Sequence, residues 1–270
     1  MQAALDAARL TEALVAQGPY SQVAVVETTG STNADLVLAA PRLPHLAARL
    51  AEFQTCGRGR LHPGEPAPRP WLAPPRSSLL ASVLLRPGGA GWPRTLLGLA
   101  FGWAAVRALD LVLPGAELKW PNDILVAGRK VGGVLAQVAP DGAVVIGLGL
   151  NVSQTASQLP PPPARAGSLA SLGAPGADRT WLAIAYLAGA ASLYQRWARG
   201  EADLLDGIGQ RMGTLGRPIT VELPGGERLS GRAERLNRDG ALLVRAGDGT
   251  ERWIAAGEVE YPAARSALGG

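Results

Sequence analysis

Lys119-Trp120-Pro121-Asn122-Asp123-Ile124-Leu125-Val126-Ala127-Gly128-Arg129-Lys130-Val131-Gly132-Gly133 reads as short strands folded back on one another. Glu117 to Trp120, Ile124 to Val126 and Lys130 to Val138 are strand-like runs, and the breaks between them, Pro-Asn-Asp and Ala-Gly-Arg, carry turn residues. Asp141-Gly142 is a further hairpin signal, followed by a strand from Val144 to Asn151. Upstream, Val23 to Val26, the run from Leu46 to Phe53, and Leu79 to Leu85 read as strands. Helices are expected over residues 1–20, ending near Gly18-Pro19, and over Ala34 to Ala40, stopped by Pro41. A third starts at Pro93, with Leu96, Leu97, Ala100, Ala104 and Leu109 along its apolar face. The expected fold class is α+β, a mixed sheet flanked by helices.

Residues 154–177, rich in Pro, Ala, Gly and Ser, read as a flexible connection. Asp178 then caps a helix whose apolar stripe is Trp181, Ile184, Leu187, Ala191, Tyr194 and Trp197. Beyond Met212 the runs shorten: Ile219 to Leu223, Arg228 to Leu236, Ala241 to Ala246 and Glu251 to Ile254, with Gly and Asp turns between them. This spacing predicts a small β-barrel. The expected organisation is a short N-terminal helix (1–20), a main domain (21–211) and a small barrel (212–264).

Of 270 residues, 47% are hydrophobic, enough for a sizeable core. No apolar run is long enough to span a bilayer, and the first residues lack a signal-peptide pattern, so a cytoplasmic place is expected. The single cysteine, Cys56, excludes an internal disulfide framework. Net charge is only +4, and no dense basic stripe or nucleic-acid motif is present. Only two of the 26 basic residues are lysines, Lys119 and Lys130, and both fall in the opening stretch. An ammonium and a guanidinium are not interchangeable, so ammonium chemistry is indicated there, unless the pair merely survives a drift toward arginine.

Four segments can carry chemistry. Gln54-Thr55-Cys56-Gly57-Arg58-Gly59-Arg60 places two forked cations on a backbone free to approach a phosphate; by itself it reads first as a solvated basic loop. It opens a Pro-rich loop reaching residue 76. Lys119 and Lys130 can meet at one site if the hairpin folds as read; otherwise they are solvated and Trp120 only packs. Ser31-Thr32-Asn33 offers good N-cap residues and, at a helix N-terminus, free amides for a polar ligand. Gly147-Leu148-Gly149-Leu150-Asn151 puts glycines inside a strand, marking either a bulge or the close approach of a ligand. His45 and His62 sit far from any metal-ligand spacing, and no nucleophilic triad is evident.

In this order and spacing the four segments resemble the biotin protein ligase (biotin–[acetyl-CoA-carboxylase] ligase) family over about residues 23–152. The following helix and C-terminal barrel agree in position with that family's remaining parts. The resemblance implies a sheet domain of the class II aminoacyl-tRNA synthetase/biotin ligase type and an SH3-like C-terminal barrel. It further implies a two-step reaction: biotin and ATP, with magnesium held mainly by the phosphates, give biotinyl-5′-AMP, and a lysine of biotin carboxyl carrier protein then takes the biotin. By carry-over, Lys130, Arg58 and Lys119 are the catalytic candidates. Ser31, Thr32, Asn33, Gln54, Arg58, Gly59, Arg60, Lys130, Gly133, Gly147 and Gly149 are expected around biotin. Arg58, Arg60, Trp120, Asn122, Lys130 and Asn151 are expected around the adenylate. No protein metal site is expected.

The sequence departs from the family pattern in the loop, where Leu61 to Arg69 carries extra Pro-rich residues before Trp71. About 20 residues precede the first strand, too few for a DNA-binding winged helix, so a ligase that binds no specific nucleic acid and no membrane is expected, as monomer or homodimer. A lipoate or octanoate attachment enzyme shares the implied fold, but Lys119-Trp120-Pro121-Asn122-Asp123 favours biotin. A biotin-responsive repressor is the non-enzymatic alternative, and an isolated SH3-like interaction module leaves residues 23–152 unexplained.

Overall fold

The computed structural model describes residues 3–61, 65–88, 91–161 and 165–262; His62 and the end of the expected barrel, residues 263–264, lie outside them. The chain opens with α1 (Ala7–Thr11), continued by a wider π turn (Glu12–Ala16), so the N-terminal helix is shorter than residues 1–20. Next come β1 (Gln22–Thr29), α2 (Thr32–Ala39), β2 (Ala47–Gln54), β3 (Ser78–Leu85), α3 (Leu97–Asp110), β4 (Ala116–Lys119), β5 (Asp123–Val126), β6 (Arg129–Val138) and β7 (Val144–Asn151). After α4 (Arg179–Ala198) and α5 (Leu204–Gln210), the strands β8 (Pro218–Glu222), β9 (Arg228–Leu236), β10 (Leu242–Ala246), β11 (Glu251–Ile254) and β12 (Glu258–Glu260) close the chain. The periodicity had not shown α5 or β12: seven and three residues are too short to display a period.

Seven strands form one sheet in the order β1-β2-β3-β7-β6-β5-β4. Only β1 and β2 run parallel, so the sheet is mixed, as expected. Strand alternation divides its two faces. Leu79, Ala81, Val83 and Leu85 of β3, with Val144, Ile146, Leu148 and Leu150 of β7, enter the main core beneath α3 and α4. Their neighbours Ser78, Ser82, Gly147, Gly149 and Asn151 therefore face the opposite side. There α2 packs, with Leu36 and Ala40 on Ala47, Leu84 and Val145. Small and polar residues on this face leave room for a cleft.

The helix starting at Asp178 follows its cap: the carboxylate accepts from the Thr180 and Trp181 amides at 2.8 and 3.2 Å. Of the expected stripe, Leu187, Ala191, Tyr194 and Trp197 are buried and Trp181 and Ile184 half-exposed, while Leu182, Ala183 and Tyr186 widen the buried face. Asp178→Ala should cost about 1 kcal/mol of stability by stranding those amides; urea denaturation measures it.

The described residues of 154–177 are not the flexible connection expected. Leu169 and Ser168 are fully buried, Ser168 Oγ donates to Gln154 O at 2.6 Å, and the Leu169 amide donates to Asn151 O at 3.1 Å. Composition misleads here because the backbone hydrogen bonds of this loop are satisfied by the ends of β6 and β7.

The C-terminal strands form an antiparallel sheet, β11-β10-β9-β8-β12, matching the expected all-β module. It is fastened to the main sheet at β4. The Leu118 amide donates to Arg211 O and the Gly213 amide to Leu118 O, both at 2.8 Å. Trp120 completes the seam: 2% exposed, it donates from its amide to Thr214 Oγ1 and from its indole to Gly240 O.

Candidate active site

A cleft of about 850 Å³ opens on the α2 side of the sheet and runs to the edge of the C-terminal sheet. Its lining brings together Ser31, Thr32, Asn33, Gln54, Arg58, Gly59, Arg60, Lys119, Asn122, Lys130, Gly133, Gly147, Gly149 and Asn151. Trp120 is the one expected site residue it does not include. The family resemblance put it at the adenylate, but the indole is spent on the seam between the sheets, the packing role open to it from the sequence, so that placement is corrected.

One end of the cleft is a wall of amides and hydroxyls. Of the Ser-Thr-Asn tripeptide, Ser31 alone caps α2, with Oγ 3.5 Å from the Ala34 amide. Thr32 and Asn33, in the first turn, point toward the sheet. Ser82 Oγ donates to Asn33 Oδ1 at 2.6 Å and lies 2.7 Å from Thr32 Oγ1. Thr32 Oγ1 also reaches Gln54 Oε1 at 3.0 Å, so the hydroxyls and amides here form one connected network. The Thr32 amide donates to Gln54 Oε1 at 2.8 Å. Asn33 Nδ2 donates to Leu135 O and Gln137 Oε1. Satisfied on every side, Asn33 is a fixed wall, and a side chain on Gly147 would collide with its Oδ1.

The loop after β2 closes over this wall. The Gly59 amide donates to Arg69 O and the Trp71 amide to Gly57 O, both at 2.8 Å, making a short antiparallel ladder bridged at Arg58 and Pro70. Trp71, whose role the lengthened loop had left open, lies over Gly149: a Cβ there would sit 2.7 Å from its ring. Gly149→Ala should therefore displace Trp71 and weaken, about 10-fold, binding of the biotin that the resemblance implies, an overpacking cost of about 1–2 kcal/mol. Calorimetric titration measures this, and unchanged affinity would separate Trp71 from the binding site.

The other end of the cleft is cationic. Ala127 and Gly128 both have positive φ, the backbone a tight two-residue hairpin needs, and this returns the chain so that β6 lies beside β5. Asp123 then joins the two lysines. Its Oδ1 is 2.5 Å from Lys130 Nζ and its Oδ2 is 3.7 Å from Lys119 Nζ, with the carboxylate buried. Gly133 pairs with Asp123 across the strands and adds no bulk. Lys119 is also 3.5 Å from Glu258 of β12 and lies against the Tyr261 ring. Arg60 donates to Asn122 Oδ1 at 3.3 Å, while the Asn122 amide donates to Val134 O at 3.0 Å. Burial lowers the Arg60 pKa, against the pull of Glu258 and Asp123. The guanidinium remains protonated at neutral pH. Arg58 is exposed at the rim.

Asn151 lines the cleft with its amide already used: Nδ2 donates to Gly167 O and Oδ1 accepts from Gln154, both at 3.0 Å. Several cleft residues had not been singled out. Ser82 carried a readable signal, since with Ser78 it places two hydroxyls on one face of an apolar strand. Asp123 was quoted in the motif without the clamping role it has here. Arg69, Arg165, Glu258 and Tyr261 come from loops and the far sheet, beyond the reach of local pattern.

Two family models match the chain: the Biotin/lipoate A/B protein ligase family over residues 24–151 and the Biotin protein ligase C terminal domain over residues 214–261. The biotin–[acetyl-CoA-carboxylase] ligase of Mycobacterium tuberculosis is 36% identical over 269 residues, covering 95% of this chain and 96% of the relative. The bifunctional ligase/repressor BirA of Escherichia coli is 33% identical over 138 residues, 48% of this chain and 40% of that protein. Among solved structures, biotin protein ligase from Aquifex aeolicus in complex with biotin and ATP superposes with a TM-score of 0.74 at 26% identity, covering 89% of this chain and 98% of that one. With two glycine-floored ends of one cleft, a clamped lysine pair and a relative matched along nearly its whole length, this chain belongs to the biotin protein ligase family.

Proposed function

We propose that the chain is an ATP-dependent ligase that forms biotinyl-5′-AMP and transfers biotin to a lysine of the biotin carboxyl carrier protein of acetyl-CoA carboxylase. The observation that carries this reading is the Asp123 clamp on Lys119 and Lys130, set in one cleft with the Ser31–Asn33 wall and the Arg58–Arg60 loop. In the first step a carboxylate oxygen attacks the α-phosphorus and pyrophosphate leaves. Two anions must approach, and cations already fixed in place offset that repulsion without reorganising. Lys130 contacts the carboxylate and α-phosphate, with Lys119 supporting the same charge. In the second step the acceptor amine attacks the acyl carbon and AMP departs, so the enzyme needs no nucleophile of its own.

The amide wall and Trp71 take biotin, with Gly147 and Gly149 leaving room for it, while Arg58, Arg60 and Asn122 take the adenylate. Asn151 serves by holding the 165–168 segment at the cleft. The described residues hold no group of three or more His, Cys, Asp or Glu able to bind a metal. On this reading magnesium comes with ATP, held mainly by phosphate oxygens. The Mycobacterium relative is named as a ligase alone, which fits an enzyme without operator binding. No helix among the described residues is long and apolar enough to cross a membrane, and the ATP it consumes suits a cytoplasmic place.

Adenylate formation with biotin, lipoate and octanoate offered separately tests the reading. Biotinyl-AMP alone is expected; preferential activation of lipoate or octanoate would replace biotin as the substrate.

A further inference from the structure

We infer that Arg165 is a further catalytic residue, a guanidinium set beside Lys130 to hold the β- and γ-phosphates of ATP as pyrophosphate leaves. The inference rests on the ligase reading above.

The position of Arg165 is built, although its side chain is exposed. The Lys130 amide donates to Arg165 O at 2.7 Å and the Gly167 amide returns to Lys130 O at 2.8 Å, so residues 165–167 lie as a short parallel partner along the start of β6. Asn151 Nδ2 fastens Gly167 O from the other side. Gly167 itself allows the approach, since a Cβ there would press to 3.1 Å on Arg129. The main chain that fixes Lys130 thus fixes Arg165 next to it, at the rim of the same cleft.

Charge accounting points the same way. Lys119 and Lys130 are engaged by Asp123, Arg60 by Asn122 and Arg69 by Glu65. Arg165, like Arg58, lines the cleft with no ion pair among the described residues. A guanidinium without an ion pair at the rim of a cationic cleft gains by meeting a polyanion. During adenylation a biotin carboxylate oxygen bonds to the α-phosphorus while the bond from that phosphorus to the bridging oxygen breaks. The bridging oxygen keeps the electron pair and departs with pyrophosphate. With Lys130 on the carboxylate and α-phosphate, a forked donor at its outer side meets the oxygens on which that charge accumulates.

The test uses the full chain and its Arg165→Ala, Arg165→Gln and Arg165→Lys variants. Single-turnover formation of biotinyl-AMP is measured against ATP concentration, and its reversal against pyrophosphate concentration. Transfer from supplied biotinyl-AMP to the carrier protein is followed separately. Arg165→Ala and Arg165→Gln are expected to slow adenylation about 10- to 100-fold and to raise the pyrophosphate needed for reversal, with transfer unchanged. Arg165→Lys should recover part of the loss. Unchanged adenylation and reversal overturn the inference. So does a defect confined to transfer with a raised KM for the carrier, which would make Arg165 a docking residue for the acceptor. A wild-type chain that makes no biotinyl-AMP overturns the ligase reading itself, and the inference with it.

Discussion

Lys130→Ala is expected to slow biotinyl-AMP formation about 100- to 1,000-fold, the usual effect of removing one preorganised charge from a transition state, with the fold retained. Lys130 is half-exposed, and its ammonium reaches Asp123 Oδ1 at 2.5 Å. Its loss leaves Asp123 facing the phosphates with only the more distant Lys119, at 3.7 Å, to balance it. The variant therefore loses an attraction and gains a repulsion. Single-turnover adenylation with biotin and ATP measures the effect; a wild-type rate would remove Lys130 from the chemistry.

Arg179→Ala is expected to destabilise the protein by about 3–5 kcal/mol, the cost of stranding one half of a buried ion pair. Arg179 and Glu52 are 2.7 Å apart, and both side chains are 2% exposed. The same two groups gather two further parts of the chain. Arg179 donates to Ser78 O and Ala3 O, and the Leu5 amide donates to Glu52 Oε1. Removing the guanidinium leaves a bare carboxylate in the core and frees the N-terminal segment. Replacing both partners with apolar residues, as in Glu52→Leu with Arg179→Met, should cost less than Arg179→Ala alone, because no charge is left buried. Guanidinium chloride denaturation of the two variants tests this ordering.

The clamp hairpin was readable because its signals are local: short β-branched runs, Gly and Pro at the turns, and the only two lysines of the chain. The cap at Asp178 and the β8–β11 strands were readable for the same reason. Features that depend on distant partners were not. Trp120 carries the same letter whether it stacks on a ligand or fills a seam, and only the position of Gly240 decides between them. Pro-rich composition suggested a flexible 154–177, yet the backbone there finds its partners on Lys130, Asn151 and Val152. The Glu52–Arg179 pair, 127 positions apart, left no trace in any local pattern. The cleft followed the same division: its glycine floor and Ser-Thr-Asn wall were legible, whereas the Trp71 cover and the Asp123 clamp required the fold.

The most direct test of the ligase account is the intact mass of an isolated biotin carboxyl carrier domain incubated with this protein, biotin and ATP. The expected result is one biotinyl group on the acceptor lysine, requiring ATP and absent when that lysine is replaced by arginine. An unmodified domain under these conditions, or an octanoyl or lipoyl group transferred from those acids in place of biotin, would contradict it.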